Sequence, residues 1–253
     1  SAAPPLLGLL ILAALWQAAA ALAAGALPTP LAVVRTLAEL LARPFYDNGP
    51  NDKGIGWQML ASLGRVFAGW SIGVAVALPL GLWLGASPRL RATLGPLVEI
   101  LRPVSPLAWY PLGLAALHSA PQAVVFTIVV TSLWPTLINT AHGVQALPED
   151  LKAVARVFEF GRWRYVRRVL LPGAFPSMLT GMRLSMGIAW MVIVAGEMLA
   201  GGAGIGFFVW DSWNALSLER VISAILLIGL TGLALDRLFG ALGRRLAPWQ
   251  IGG

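Results

Sequence analysis

The 253-residue chain has no cysteine and only two histidines, His118 and His142. The missing thiols exclude a disulfide framework and any thiolate metal site. Two imidazoles are too few for a histidine-based metal centre, so no metal ligand is assigned. Charge is scarce as well. Asp, Glu, Lys and Arg make up 11% of the residues, against roughly 25% in soluble domains. So few charges do not cover the surface of a water-soluble fold. The chain also lacks a GxxxxGK[ST] phosphate loop, so it does not hydrolyse ATP in the usual way. No Ser–Lys pair, HExxH motif or paired aspartates in facing segments can be assembled, which removes an intramembrane enzyme. No catalytic residue is assigned. No repeat of 20–50 residues is visible, and one membrane domain is expected over 1–253.

What remains is apolar. Hydrophobic residues make up 58% of the chain, and the mean hydropathy is +0.77. The solvent that fits is a lipid bilayer, and the expected fold is an all-α membrane protein. A spanning helix needs about 20 mostly apolar residues. Six segments qualify: 4–27, 66–86, 94–117, 122–142, 175–199 and 221–242. The first has no basic stretch before it and no polar region after it, so it is read as a span within 1–30 and not as a cleaved signal. Residues 31–42 form a shorter amphipathic helix with Arg35, Glu39 and Arg43 on one side, placed at the interface. PFYDNGPNDKGIGW (44–57) is a polar loop of turn residues. Helix and loop make up 31–60, and the remaining spans fill 61–242. Most of the eleven Trp residues fall near the ends of apolar runs, as interfacial anchors do.

The net charge of +7 raises nucleic acid as a partner, but the positions of the charges point elsewhere. Arg89 and Arg91 follow span two. Lys152, Arg156, Arg162, Arg164, Arg167 and Arg168 follow span four, and Arg244 and Arg245 lie in the tail, 243–253. With six spans these three regions fall on one side. The positive-inside rule makes that side cytoplasmic and puts both termini there.

The stretch LKAVARVFEFGRWRYVRRVLLP (151–172) carries six of the eighteen Lys and Arg residues. Pro148, Glu149 and Asp150 suit a helix start, where acids favour the positive dipole end. Leu151, Val154, Ala155 and Phe158 then follow at i, i+3, i+4 and i+7 as one apolar stripe. After Gly161 a second short helix places Trp163, Val166 and Leu170 on one side. Pro172 restarts the chain as a span. Two readings stand: a solvated basic loop that meets anionic lipid, or a docking element whose apolar stripe needs a protein partner.

This loop, 147–172, resembles the cytoplasmic loop of the permease subunits of bacterial binding-protein-dependent ABC importers. That family carries Glu-Ala-Ala, three residues, Gly, nine residues, then Ile-x-Leu-Pro. Here Ala153-Val154-Ala155 stands at the first three positions and Val169-Leu170-Leu171-Pro172 at the last four, with the spacing intact. Ala153 replaces the usual Glu, and Glu159 replaces the usual Gly. Either the turn moves to Gly161, or Glu159 makes a new contact to the partner. PFYDNGPNDKGIGWQMLASLGRV, RPVSPLAWYPLGLA, SLWPTLINTAHGV, LTGMRLSMGIAWMVIVAGEML and GIGFFVWDSWN resemble the nitrate, nitrite, cyanate and bicarbonate branch, most closely its nitrate members. Taurine and aliphatic-sulfonate permeases are similar too. The resemblance covers about 28–246.

It implies a type I ABC importer permease fold in the bacterial inner membrane, with a cytoplasmic coupling helix carrying Glu149, Asp150, Leu151, Ala153, Val154, Ala155, Arg156, Phe158, Glu159 and Gly161. It implies a second permease copy as a homodimer, two cytoplasmic ATPase subunits holding ATP and Mg, and a periplasmic or lipid-anchored substrate-binding protein. No cofactor is implied on this chain. The implied cargo is a small inorganic anion, nitrate or nitrite first. A stand-alone channel or secondary transporter is the alternative from another class. Such proteins usually show inverted repeats or a titratable relay at mid-membrane, and neither is evident.

Ionisable residues inside spans mark functional candidates: Glu99, Arg102, Arg183 and Glu197. Arg102 opens RPVSPLAWYP, whose prolines are expected to bend span three along a pathway. Arg102 and Arg183 either give that pathway a positive lining or sit near the cytoplasmic end, snorkelling or paired with Glu99. Glu197 either holds the glycine-rich turn behind it or belongs to an outer gate. Trp109, Tyr110, Trp134 and Trp190 either line a cavity or pack. The pathway candidates are Arg102, Trp109, Tyr110, Arg183, Trp190 and Glu197.

Overall fold

The apolar runs form long helices in the computed structural model, which describes residues 3–23, 25–49 and 52–246. Helix α1 spans Ala3–Leu22, 20 residues that are apolar apart from Gln17. Helix α2 is Pro30–Ala42. Thr29 caps it, its Oγ1 accepting the Ala32 N–H at 3.3 Å. Then come α3 (Ile55–Ala86), α4 (Pro88–Leu101), a 3₁₀ turn at Pro106–Trp109, α5 (Tyr110–Leu117) and α6 (Ala120–Gln145). The basic stretch folds as α7 (Glu149–Val157) and α8 (Arg162–Tyr165), followed by a π turn at Val166–Leu170. Helices α9 (Leu171–Ala200), α10 (Ile205–Asn214) and α11 (Leu218–Leu246) complete the order.

Among the described residues, four helices are long and apolar enough to cross a membrane: Ile55–Ala86, Ala120–Gln145, Arg162–Ala200 and Leu218–Leu246. Three expectations about continuity are corrected. Span two begins at Ile55 and not near 66, because the polar side chains of Gln58 and Ser62 in its first turns are buried and hydrogen-bonded. Span three is not one helix. It ends at Leu101 and resumes at Pro106. Ser105 is extended (φ −55°, ψ 131°), as a residue before proline prefers. Pro172 does not restart the chain, since the helix runs unbroken from Arg162 to Ala200. The π turn just before it, with the Leu171 N–H donating to the Val166 carbonyl, widens the helix where the proline ring would otherwise meet a carbonyl.

By internal contacts the chain forms two units, Ser1–Ser62 with Glu197–Leu230, and Leu63–Gly196 with Thr231–Gly253. In the second unit α3 lies close against α6 along a line of small residues. A Cβ at Gly69 would lie 2.8 Å from Ile128 Cβ, one at Gly81 2.7 Å from the Leu137 carbonyl, and one at Gly85 2.6 Å from Val144 Cβ. Without a hydrophobic drive between helices in lipid, such close approach and its dispersion hold them together. Ser185 Oγ on α9 accepts from Trp70 Nε1 on α3 at 2.9 Å and lies 3.0 Å from Thr136 Oγ1 on α6. In the first unit, Ser223 Oγ on α11 donates to the Val33 carbonyl of α2 at 3.3 Å. Trp57 Nε1 ties the start of α3 to the Phe45 carbonyl at 3.0 Å.

Candidate functional site

The break in span three opens a cleft of about 460 Å³ in the second unit. One wall is the irregular segment, with Arg102, Pro103, Val104, Ser105, Pro106 and Trp109. Irregular backbone at membrane depth is tolerated where it lines a cavity. The opposite wall is α6, with Thr131, Trp134, Pro135, Ile138 and Asn139, and Ile188 of α9 closes the cleft. Gly181 lets α9 approach here, since a Cβ on it would lie 2.9 Å from Asn139 Cβ. Arg102 is the only ionisable residue among these lining residues. The other polar groups are modest. Asn139 Nδ2 donates to the Pro135 carbonyl at 2.8 Å, and Thr131 Oγ1 to the Thr127 carbonyl at 2.7 Å. The result is a largely apolar cleft with one cation and two indoles.

The pathway candidates within the second unit do not all line this cleft. Arg102 and Trp109 line the cleft. Tyr110 is buried in the first turn of α5. Arg183, exposed on α9, meets Asp236 of α11 through two bonds, Nε to Oδ1 at 2.7 Å and Nη2 to Oδ2 at 2.6 Å. Its partner is therefore Asp236, not Glu99. Trp190 is buried, and a Cβ at Gly232 on α11 would lie 3.1 Å from its ring. Glu197 is 1% exposed in the first unit. It accepts from Ser62 Oγ at 2.9 and 2.7 Å and from the Gly206 N–H at 3.0 Å. Ser62 Oγ also accepts the Ile205 N–H at 2.8 Å, and Gln58 Oε1 the Gly204 N–H at 2.5 Å. These side chains fasten the glycine turn to the start of α3. Reading the sequence missed Thr131, Asn139 and Asp236. The Trp134-Pro135 pair in an apolar run, with Asn139 one turn on, was the available signal for α6.

In the basic stretch, the apolar stripe divides. Leu151, Val154 and Phe158 are exposed, while Ala155 is 5% exposed and packs inward. Val157 and Trp163, at 80% and 74% exposed, extend the outer apolar surface. Glu149 and Asp150 sit in the first turn of α7, and Ala153 is exposed on the same helix. The Arg156 side chain lies outside the described ones. The turn does not move to Gly161, whose φ is −58°. Glu159 itself takes the left-handed conformation (φ 47°). The Phe160 N–H reaches back to the Ala155 carbonyl at 2.9 Å, which is a Schellman closure with glutamate where glycine is usual.

Residues 77–248 match the family described as binding-protein-dependent transport system inner membrane component. The nitrate import permease protein NrtB of Synechocystis sp. is 39% identical over 244 residues, covering 96% of this chain and 89% of that protein. The bicarbonate transport system permease protein CmpB of Synechococcus elongatus is 41% identical, covering 95% and 87%. Among solved structures, an amino acid ABC transporter with histidines gives a TM-score of 0.64 at 17% identity, covering 85% of this chain and 97% of that one. The inward-facing MetNI methionine ABC transporter gives 0.59 at 19%, covering 72% and 93%. The chain therefore belongs to the binding-protein-dependent transport system inner membrane component family, as a non-catalytic, multi-pass ABC importer permease of type I fold whose ATPase resides on separate subunits.

Proposed function

We propose that this permease passes a small inorganic monovalent anion across the bacterial inner membrane, nitrate or nitrite first. The observation that carries the reading is the cleft at the break in span three, with Arg102 as the only ionisable group among its described lining residues. One positive charge in a largely apolar cleft lowers the barrier for a monovalent anion. It also leaves release easy, because a permeation path has to hold its ion weakly. Arg102 and Trp109 are assigned to the pathway. Tyr110, Trp190, Glu197 and Arg183 are assigned to packing, a reading supported by burial for the first three and by Asp236 for Arg183. The relatives named for nitrate import support nitrate, and those named for bicarbonate transport make bicarbonate the second reading.

Energy enters through α7 in this proposal. Leu151, Val154, Val157 and Phe158 form an exposed apolar surface on a short helix, which suits insertion into a cleft of a cytoplasmic ATPase that holds ATP and Mg. Glu149, Asp150, Ala153, Arg156, Glu159 and Gly161 complete that surface or its turn, with Ala155 anchoring it from below. The assembly is a permease homodimer with two ATPases, both permease termini cytoplasmic, and a substrate-binding protein on the opposite face near 28–54 and 200–220. Calorimetry of the cognate binding protein against nitrate, nitrite, cyanate, bicarbonate and taurine tests the cargo. Nitrate or nitrite binding supports the first reading and bicarbonate the second. Selective taurine binding contradicts a small inorganic cargo.

A further inference from the structure

A second cleft, of about 330 Å³, lies in the first unit and plays no part in the reading above. It is lined by Thr36, Glu39, Leu40 and Arg43 of α2 and the loop after it, by Tyr46 and Asn48, and by Arg220 in the first turn of α11. Two guanidinium groups from separate elements therefore face one space together with one carboxylate. Glu39, Arg43 and Arg220 are all exposed, so the cleft is open to a ligand.

The helices set its depth. Arg220 sits just before the apolar run of α11, and α1 ends at Leu22 shortly before α2 begins. Helix α2 carries three stripes. Val33 and Leu40 are buried against the protein. Leu31, Val34 and Leu41 are apolar yet 50–58% exposed. Thr36, Glu39 and Arg43 recur at i, i+3 and i+7 on a third face. A helix whose free apolar stripe enters the acyl boundary holds its polar face at headgroup level. Phe45, next to Tyr46 in the chain, is 56% exposed and stacks edge-on against Trp57.

We propose that this cleft binds the headgroup of a zwitterionic aminophospholipid, phosphatidylethanolamine, with its phosphate on Arg43 and Arg220 and its ammonium on Glu39. Charge complementarity selects this occupant. The lining offers two cations and one anion, and guanidinium forks suit phosphate oxygens. A phosphatidylglycerol headgroup would satisfy the arginines and leave Glu39 unmatched. Tyr46 is half-buried, and burial, with Asp52 alongside, raises its phenol above the usual value. Its hydroxyl is hydrogen-bonded to Asp52, so it lines the cleft and leaves the phosphate to the two arginines.

The test is native mass spectrometry of the purified full-length permease in its complex, exchanged into equal amounts of phosphatidylethanolamine and phosphatidylglycerol. Wild type should retain the ethanolamine lipid about tenfold over the glycerol lipid, a difference of about 1.4 kcal/mol. R43Q/R220Q should lose about tenfold of that lipid. R43K/R220K, which keeps the charges, should retain most of it. E39Q should bind the two lipids equally. Wild-type retention by R43Q/R220Q, or no preference in wild type, overturns the proposal. Displacement of the lipid by millimolar inorganic phosphate would assign the site to free phosphate and overturn the lipid.

Discussion

Arg183 on α9 and Asp236 on α11 form a two-pronged ion pair, with both donor–acceptor distances below 2.8 Å. Each side chain is about half exposed, at 48% and 51%. A guanidinium matched by two parallel bonds is held by geometry as well as charge. Replacing Arg183 by Ala should leave an unmatched carboxylate on a spanning helix and lower the thermal midpoint in detergent by a few degrees. R183K should fall between, because an ammonium does not reproduce the fork. The exchange R183D/D236R should recover most of the loss. If the exchange unfolds as readily as the single variant, the pair is not the source of the effect.

Glu197 and Gly204 make a second test. Gly204 has φ 150°, and a Cβ there would collide with the Glu197 carboxylate. Gly204→Ala should therefore be more damaging than Ser62→Ala. The serine change leaves a buried carboxylate and the Ile205 N–H each short of a partner, a loss of about 1–3 kcal/mol. Thermal unfolding of the two variants ranks them, and equal midpoints would contradict this geometry.

Glu159 predicts a gain. A non-glycine residue in the left-handed region is strained, and glycine removes that strain at some entropic cost in the unfolded chain. Relief of roughly 1–2 kcal/mol of left-handed strain, partly offset by the entropic cost of glycine, means that Glu159→Gly should stabilise the α7–α8 hairpin. Slower amide exchange across 149–165, with transport kept, is the expected result. Faster exchange would mean that the glutamate side chain does more than close the turn.

The loop over 44–54 predicts a pH dependence. The Lys53 ammonium, 2.8 Å from Asp47 Oδ2, and the Gly49 N–H hold the Asp47 carboxyl below the usual carboxylate range. A folded value below the unfolded one means the stabilisation is complete above the unfolded value, about 3.9. It is lost as the pH falls through the folded value. Protease resistance of this loop should hold from neutral pH down to about 4 and then decline. Asp47→Asn should remove that dependence and leave a flat, weaker resistance.

The helices were legible in the sequence because apolar length is nearly sufficient to define a span. Their ends and breaks were not. Gln58 and Ser62 look like loop residues until Glu197 and Gly204, more than a hundred positions away, give them partners. Pro172 reads as a helix breaker until the π turn before it makes room. The cleft was half legible. The prolines around Arg102 announced irregular backbone, but Thr131 and Asn139 on α6 look like ordinary polar residues on a span. Only the fold brings them opposite Arg102. Arg183 stood out as a lone charge because its partner, Asp236, lies 53 residues away.

In the proposed transport path, Arg102 supplies the positive charge that the anion meets. ATP-driven uptake of labelled nitrate into proteoliposomes holding the complete importer, compared between wild type, R102K and R102A, tests it most directly. R102A should reduce uptake by about tenfold or more, on the order of 1.4 kcal/mol in the barrier. R102K should keep a substantial part, and the stimulation of ATPase by loaded binding protein should persist in both. Wild-type nitrate uptake by R102A would contradict the account.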